Sequence, residues 1–441
     1  MHGARARAAR IGWLVAYLAV IGVPLALAWR SLETATTLAA WYSIVTGLLA
    51  FSLLVVTLVL IARLPFLVSA FGIETALLMH RFAAVTLAVL VLAHIALVLG
   101  SDPRGLDILD LSDTTAAARA AVVSTLTLTT AVVLALWRKR RQPRYEGWRF
   151  VHVTLAAITF LAAFLHVWWL NHLRANTSLA VLFDVLAMVV VLTGLRRWVW
   201  LPLRARRRQY VVEEVVPGPS SSVTVVLRAH GHRGVTFRAG QFAWLKVGSS
   251  SFAFEEHPFS IASTSQTPHR KEFTIKALGD FTSVIGELTP GRRVYLDGPY
   301  GRFTVEGLER SPGFVFIAGG VGLTPMLSML RTLRDRGDKR RHHLIIGARS
   351  LDDLMLRAEI TELAADLDVR VTEVVQTPGE GWTGETGRID GRLLDRVLPR
   401  HARHYDYFLC GPPGMVTAVG QQLRDRRIPI RRIHTERFEV V

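Results

Sequence analysis

A single cysteine, Cys410, in a chain of 441 residues excludes an internal disulfide, and it excludes an iron–sulfur cluster held by this chain's own thiolates. Acidic residues are scarce where the chain is apolar: residues 1–208 hold 8 Asp+Glu against 21 Lys+Arg, whereas the remainder holds 27 against 31. The formal net charge of +17 therefore falls as +13 on the apolar part and +4 on the rest. Basic flanks around membrane helices produce such a division. A nucleic-acid-binding face would need a basic stripe interleaved with aromatics, and the sequence has none. Inverted internal repeats and broken-helix signals, which would support a transporter, are missing, and no EF-hand motif provides a calcium switch.

What the chain does have is apolar sequence, 51% hydrophobic with a mean hydropathy of +0.32. Six spans can be drawn, at about 11–29, 38–62, 78–100, 117–137, 149–170 and 177–199. The amino terminus, MHGARARAAR before an apolar run, has the look of a signal peptide, but the run is long enough to span and is read as an uncleaved first helix. Basic residues cluster at Arg5 to Arg10, at Arg63 and Arg81, at Arg138 to Arg144 and at Arg196 to Arg208. The opposite loops carry scattered arginines such as Arg30, Arg104 and Arg174. This asymmetry predicts a multi-pass protein of the cell's inner (plasma) membrane with both termini in the cytoplasm.

Two of the spans carry histidine pairs at one spacing, His80 and His94 in HRFAAVTLAVLVLAH, His152 and His166 in HVTLAAITFLAAFLH. Fourteen helical residues turn through about 1400°, roughly 40° short of four turns, and rise about 21 Å. Each pair lies on nearly one face at two depths. An imidazole in lipid needs a partner for its ring nitrogen, and iron is one that suits it. With the helices parallel, His80 with His152 and His94 with His166 would hold two stacked b-type haems. Asp184, inside the sixth span, is either an acid that handles protons or a paired structural group, with Arg119 or Arg174 as partner. His172, just outside the fifth span, is read as an interfacial residue.

After residue 208 the text changes. Short alternating strands (SSVTVVLRA, QFAWLKVG, FTIKALG) broken by Gly and Pro predict a small antiparallel β-barrel. From about 312, apolar strands (FVFIAG, HHLIIGA, VRVTEVV, YDYFLCG) alternate with helical patterns (PMLSMLRTLRDR, DDLMLRAEITELAADL, PGMVTAVGQQLRDR), the rhythm of a doubly wound parallel α/β sheet. The expected organisation is a six-helix transmembrane domain at 1–208, a barrel at 209–307 and a nucleotide-binding α/β domain at 308–441.

The paired histidines, Arg81 directly after the first of them, and the YEGWRFVH run with Tyr145, Trp148 and His152 resemble the third and fifth helices of the ferric reductase and NADPH oxidase family. The resemblance extends over nearly the whole chain. It implies that Arg81 pairs with a haem propionate or snorkels at the cytoplasmic face. HPFSIAS resembles the flavin-binding strand of ferredoxin reductase-type domains: His257, Pro258 and Phe259 would lie along FAD, and the Ser260 hydroxyl would meet flavin N5, which accepts hydride. Lys276 and Thr282 are implied ligands of the FAD pyrophosphate, with GPYG (298–301) completing the pattern. Gly319, Gly320 and Gly322 occupy a strand-to-helix turn suited to a pyrophosphate, and Thr324 adds a hydroxyl. CGPPGMV resembles the family's nicotinamide-side motif, which places Cys410, Gly411 and Pro412 near the nicotinamide. Arg349, in GARS, would meet a 2′-phosphate and so favours NADPH, although similar text occurs in NADH users. The closing IHTERFEVV resembles a terminal segment whose aromatic covers the flavin; Phe438 is that aromatic, with Glu436 beside it.

The family mechanism implied is hydride transfer from cytosolic NAD(P)H to FAD, then single electrons through two haems to an extracytoplasmic acceptor. Dioxygen, giving superoxide, is favoured over a ferric chelate, because the outer loop 101–116 holds four Asp but no histidine or cysteine with which to cage iron. Arg174 or Arg30 would supply the positive group. The rival reading is a haem-free, membrane-anchored flavin reductase, against which the paired histidines argue.

Overall fold

Backbone polar groups in lipid are satisfied within helices, so apolar runs of this length must be helical. The computed structural model describes residues 2–32, 37–101, 110, 112–141, 145–170, 173, 175–248 and 250–437. It divides into two compact units, Met1–Leu201 and Pro202–Val441.

The first unit consists of α1 (His2–Leu32), α2 (Leu38–Leu60), the short α3 (Pro65–Phe71), α4 (Ile73–Ser101), α5 (Ala116–Arg141), α6 (Tyr145–Trp168) and α7 (Thr177–Leu195). Among the described residues six helices are long and apolar enough to cross a membrane, and they fall on the six expected spans. The caps follow from the sequence. Thr37 Oγ1 accepts from the amide of Ala40 at 3.1 Å to start α2, and Asn176 Oδ1 accepts from Leu179 at 3.1 Å to start α7. Asn176 also donates to the Leu27 carbonyl at 3.0 Å, which ties α7 to α1. Beyond α7 the chain makes a π-helical turn, Arg196–Trp200, from which Arg196 donates to the carbonyls of Ala62 (3.1 Å) and Arg63 (3.3 Å) just past the end of α2. α4 packs antiparallel on α2, and α6 packs antiparallel on α5, where Thr127 and Thr159 hydroxyls meet at 2.8 Å.

The second unit holds two sheets. β1 (Tyr210–Gly218), β2 (Ser222–Ala229), β3 (Phe242–Val247), β4 (His257–Ser260), β5 (Arg270–Lys276) and β6 (Arg293–Tyr300) pair antiparallel in the order β4-β3-β6-β1-β2-β5. The amide of Ala262, just after β4, donates to Glu272 of β5 at 2.7 Å, drawing the two edges together. The other sheet is parallel. β7 (Phe314–Gly319), β8 (His342–Ala348), β9 (Val369–Val375), β10 (Glu385–Thr386), β11 (Asp406–Gly411) and β12 (Ile433–Arg437) run in the order β10-β9-β8-β7-β11-β12. Helices α8 (Leu323–Asp335), α9 (Arg357–Asp366) and α10 (Pro413–Asp425) connect them. Strand order reverses at β7, so the crevice at the carboxyl ends of β7 and β11 is the topological switch point where such sheets take ligands.

One helix starts later than its pattern predicts. DDLMLRAEITELAADL should be helical from its first residue, but Leu351–Asp353 form a 3-10 turn, Leu356 sits at φ +57°, and α9 begins at Arg357. The cause is tertiary. Asp353 accepts from Ser220 (2.9 Å) and Ser350 (3.1 Å) and pairs with Lys276 at 3.1 Å, which holds the segment out of the helix.

His342, fully buried at the start of β8, lies parallel to Phe314 with ring centroids 5.4 Å apart and accepts the Phe314 amide on Nδ1 at 3.2 Å. Burial pushes its pKa down from 6.5 to about 4, against the pull of Asp338. Because the folded value lies below the free one, the unfolded chain binds more protons between pH 6.5 and 4. Stability present above this window is lost as pH falls through it, by about 3 kcal/mol in all. Urea unfolding of the reductase half, read by pulse proteolysis of the full chain, should show this loss in wild type and less of it in His342→Gln. Equal slopes for the two would refute it.

Candidate functional site

The four histidines of the spacing motif all face backbone carbonyls of the antiparallel neighbour. His80 Nδ1 donates to Thr57 O (3.0 Å) and His94 Nδ1 to Ser43 O (2.7 Å), both on α2. His166 Nδ1 donates to Ala117 O at 2.9 Å, on α5. His152 Nδ1 is buried without a hydrogen-bond partner, and the Ala131 carbonyl is the backbone acceptor facing it. The hydrogen-bonded acceptors Ser43 and Thr57 on α2 repeat the spacing of the donors, and on α5 Ala131, which faces His152, lies the same fourteen residues beyond the acceptor Ala117. A carbonyl that takes Nδ1–H fixes the tautomer and leaves the Nε2 lone pair free to bind a metal. His80 and His152 stand with ring centroids 6.4 Å apart and planes at 78°. Two imidazoles on one metal through Nε2, with bonds of about 2 Å, have centroids about 6 Å apart. The donor set therefore fits a bis-histidine haem.

Trp148 stacks on His152 at 5.1 Å and 19°, and the Arg138 guanidinium lies over Trp148 at 4.5 Å and over Tyr145 at 4.8 Å. Arg81 is exposed on α4, Arg119 is exposed near the start of α5, and Asp184 is exposed on α7. His172 and Arg174 lie outside the described residues, as does most of the loop 101–116. Of Arg30 only the backbone is described.

In the barrel, β4 is HPFS itself. Its register against β3 sets Ser260 opposite Phe242 and Phe259 opposite Ala243. The Ser260 hydroxyl is buried and has no hydrogen-bond partner within the protein, a donor set that fits a polar ligand atom. His257 stacks on Phe281 at 4.0 Å, and Phe259 lies nearly parallel to the same ring at 6.1 Å; Pro258 is half-buried between them in sequence. Phe281 carried no assignment in the sequence, although it sits in the same GDFT text as Thr282. Two expected pyrophosphate ligands are engaged elsewhere. Lys276 is paired with Asp353, and Thr282 Oγ1 accepts from the amides of Leu278 (2.8 Å) and Gly279 (2.9 Å), capping its own turn.

At the switch point, the two glycine motifs meet. Gly320–Gly322 form a 3-10 turn between β7 and α8, with Gly320 at φ +55°. A Cβ on Gly319 would come within 2.8 Å of Met415 Sδ and 2.9 Å of Pro412 Cδ. One on Gly411 (φ +148°) would be 3.0 Å from Gly319 Cα, and one on Gly322 would strike the Cys410 carbonyl. Close approach of backbone to backbone is the reason for glycine here. Thr324 is buried and donates to Val321 O at 2.8 Å. Cys410 is fully buried and stands opposite Glu436 in the β11–β12 register. Arg349, at the end of β8, is exposed. Phe438 lies outside the described residues.

The sequence reading missed what aligns these two sites. Ser328, Arg331 and Thr332, at i, i+3 and i+4 on α8, dock on the barrel. Ser328 Oγ donates to Ser263 O (2.7 Å), Thr332 Oγ1 accepts from Ser265 N (2.9 Å), and Arg331 reaches Ala262 O (2.9 Å), Glu272 (2.5 Å) and Glu359 (2.5 Å). The flavin strand is thereby fixed to the helix that begins at the glycine turn. A polar triplet at helical spacing inside PMLSMLRTLRDR was the available signal.

Comparison with known proteins matches three families along the chain: ferric reductase like transmembrane component over 46–163, FAD-binding domain over 219–304, and oxidoreductase NAD-binding domain over 316–421. The architecture is that of the ferric reductase and NADPH oxidase-like proteins. The first match contains His80, His94 and His152 and ends before His166. In this ferric reductase-like chain the second half has the domain composition of NAD(P)H-dependent oxidoreductases. The reductase component of propane 2-monooxygenase from Rhodococcus jostii is 32% identical over 52% of this chain and 62% of its own length. NADH-cytochrome b5 reductase 1 of Cryptococcus neoformans is 34% identical over 32% of this chain and 51% of its own. The chain thus spans between half and 62% of these relatives' length. A solved Amycolatopsis cytochrome P450 reductase aligns over 52% of this chain and 69% of its own, at 27% identity and a TM-score of 0.46.

Proposed function

We propose that this protein carries electrons from cytosolic NAD(P)H across the membrane to an extracytoplasmic acceptor. When bound, FAD would take hydride from the nicotinamide and two b-type haems would pass its electrons singly through the membrane. The observation that carries the reading is the histidine geometry: Nδ1–H groups on carbonyls repeated at the donors' own spacing, and His80 and His152 rings 6.4 Å apart. His80 and His152 would hold the inner haem, His94 and His166 the outer one, and the positive-inside pattern supports an orientation with both termini in the cytoplasm. The buried Ser260 hydroxyl would donate to flavin N5, with Cys410 and Phe438 on the nicotinamide side. Gly319, Gly320, Gly322, Gly411 and Pro412 would form the backbone cradle for the dinucleotide. The division 1–208, 209–307 and 308–441 assigns haem, FAD and nucleotide to separate domains.

We take dioxygen as the acceptor. It is small and neutral and needs access rather than a built metal cage. The balanced reaction is NAD(P)H with two O2 giving NAD(P)+, two superoxide ions and a proton. Purified protein turning over NADPH in air should give b-type haem reduction bands, and cytochrome c reduction that superoxide dismutase suppresses. Dismutase-insensitive reduction, with ferric citrate restoring turnover under nitrogen, would instead make the protein a ferric-chelate reductase.

A further inference from the structure

We propose that Gly47 on α2 is the positioning residue of the outer haem site, holding the His94 imidazole by the absence of a side chain. This rests on the bis-histidine reading. A Cβ built on Gly47 lies 3.0 Å from His94 Cε1, 3.1 Å from Nδ1 and 3.6 Å from Nε2, so the imidazole is laid against the Gly47 backbone. One helical turn earlier, the Ser43 carbonyl takes His94 Nδ1–H at 2.7 Å. A carbonyl at one position and a missing side chain four residues on make a notch one imidazole wide. A side chain at 47 would push on Cε1 and Nδ1. Because Nδ1 is tethered to Ser43, the ring can respond only by swinging the end that carries Nε2, the ligating atom.

Glycine inside a helix is unfavourable relative to alanine, so its presence calls for a reason. Among the described residues of the first unit, a Cβ on the helical glycines Gly12, Gly22, Gly100, Gly147 or Gly194 would meet nothing within 4 Å. Gly47 differs: the three atoms nearest to its Cβ position all belong to the His94 ring. His80 bonds instead to Thr57 in the last turn of α2, which ends at Leu60, and Gly47 lies ten residues before that acceptor. Substitution at 47 should therefore act on the outer haem alone.

The test compares wild type, Gly47→Ala, Gly47→Leu and Gly194→Ala, each purified as the full chain from haem-replete cells. The readouts are haem per FAD, the low-spin electron paramagnetic resonance signals and a redox titration of the haem bands. Wild type and Gly194→Ala should show two haems with two resolved signals. Gly47→Ala should keep both haems, with the signal and midpoint of one shifted and the other unmoved, and Gly47→Leu should halve the haem content at unchanged FAD. Two wild-type signals in Gly47→Leu, or equal loss of both haems, would overturn the proposal. Should Gly47→Leu fail to accumulate, an unshifted Gly47→Ala overturns it equally. A wild-type chain without haem would instead defeat the bis-histidine reading itself, a result visible before any variant is compared.

Discussion

His94→Ala should halve the haem content of the purified chain and lower acceptor reduction by about a hundredfold or more, while reduction of bound FAD by NADPH keeps its wild-type rate. His94 would hold the haem iron, and replacing its imidazole with a methyl group would take away that ligand in an apolar bundle where water is costly. The effect should be split by depth. His94→Ala and His166→Ala would each remove the outer haem, and His80→Ala and His152→Ala the inner one, because the His80 and His152 rings stand 6.4 Å apart and the other two histidines follow at the same spacing. Haem per chain by pyridine haemochrome, together with stopped-flow flavin reduction, separates the two halves of the path. Full haem content in any of the four variants would remove that histidine from the ligand set. Loss of flavin reduction together with haem would mean that the variant had misfolded.

Gly322→Val should lower kcat/KM for the nicotinamide nucleotide by about a hundredfold or more without loss of FAD. The added Cβ would strike the Cys410 carbonyl and stand 2.7 Å from the Gly411 nitrogen. Neither atom can retreat cheaply, because β7 and β11 are paired from Asp406↔Phe314 to Cys410↔Ala318 directly beneath the turn. Overpacking of this kind costs about 1–3 kcal/mol and would be relieved by prying apart the two motifs that face the crevice. Gly379→Ala, whose Cβ would meet nothing within 4 Å, is the matched control and should behave as wild type. Equal kinetics for Gly322→Val and Gly379→Ala would show that the turn does not approach the nucleotide.

Legibility differed by the range of the forces involved. The six spans were readable because lipid imposes hydropathy and length on each helix separately. The strands of both sheets were readable because alternation and Gly/Pro punctuation are local signals, and β12 formed where IHTER was expected to be part of the terminal segment. Lys276 was legible only as a cation on a flavin-domain strand. Its pairing with Asp353, 77 residues on, belongs to the contact of barrel and α/β sheet, and the same contact delayed the start of α9. Thr282 shows a local use that the letters did not announce: its hydroxyl accepts from the amides of Leu278 and Gly279 in its own turn.

The sequence by itself determined the class of chemistry. A spacing of fourteen residues from one histidine to the next in two apolar runs put each pair on one helical face, and the glycines of the AGGVG and CGPPG turns announced close backbone approach, since those properties depend only on helix pitch and on the lack of a Cβ. Only the tertiary structure decided how the histidines are aimed. Carbonyls are the same at every residue, so nothing in the letters marks Ser43, Thr57 or Ala117 as acceptors until antiparallel packing brings them to the rings. Gly47 became meaningful for the same reason: a missing side chain has no signature of its own, and its value is set by the imidazole that another helix lays against it.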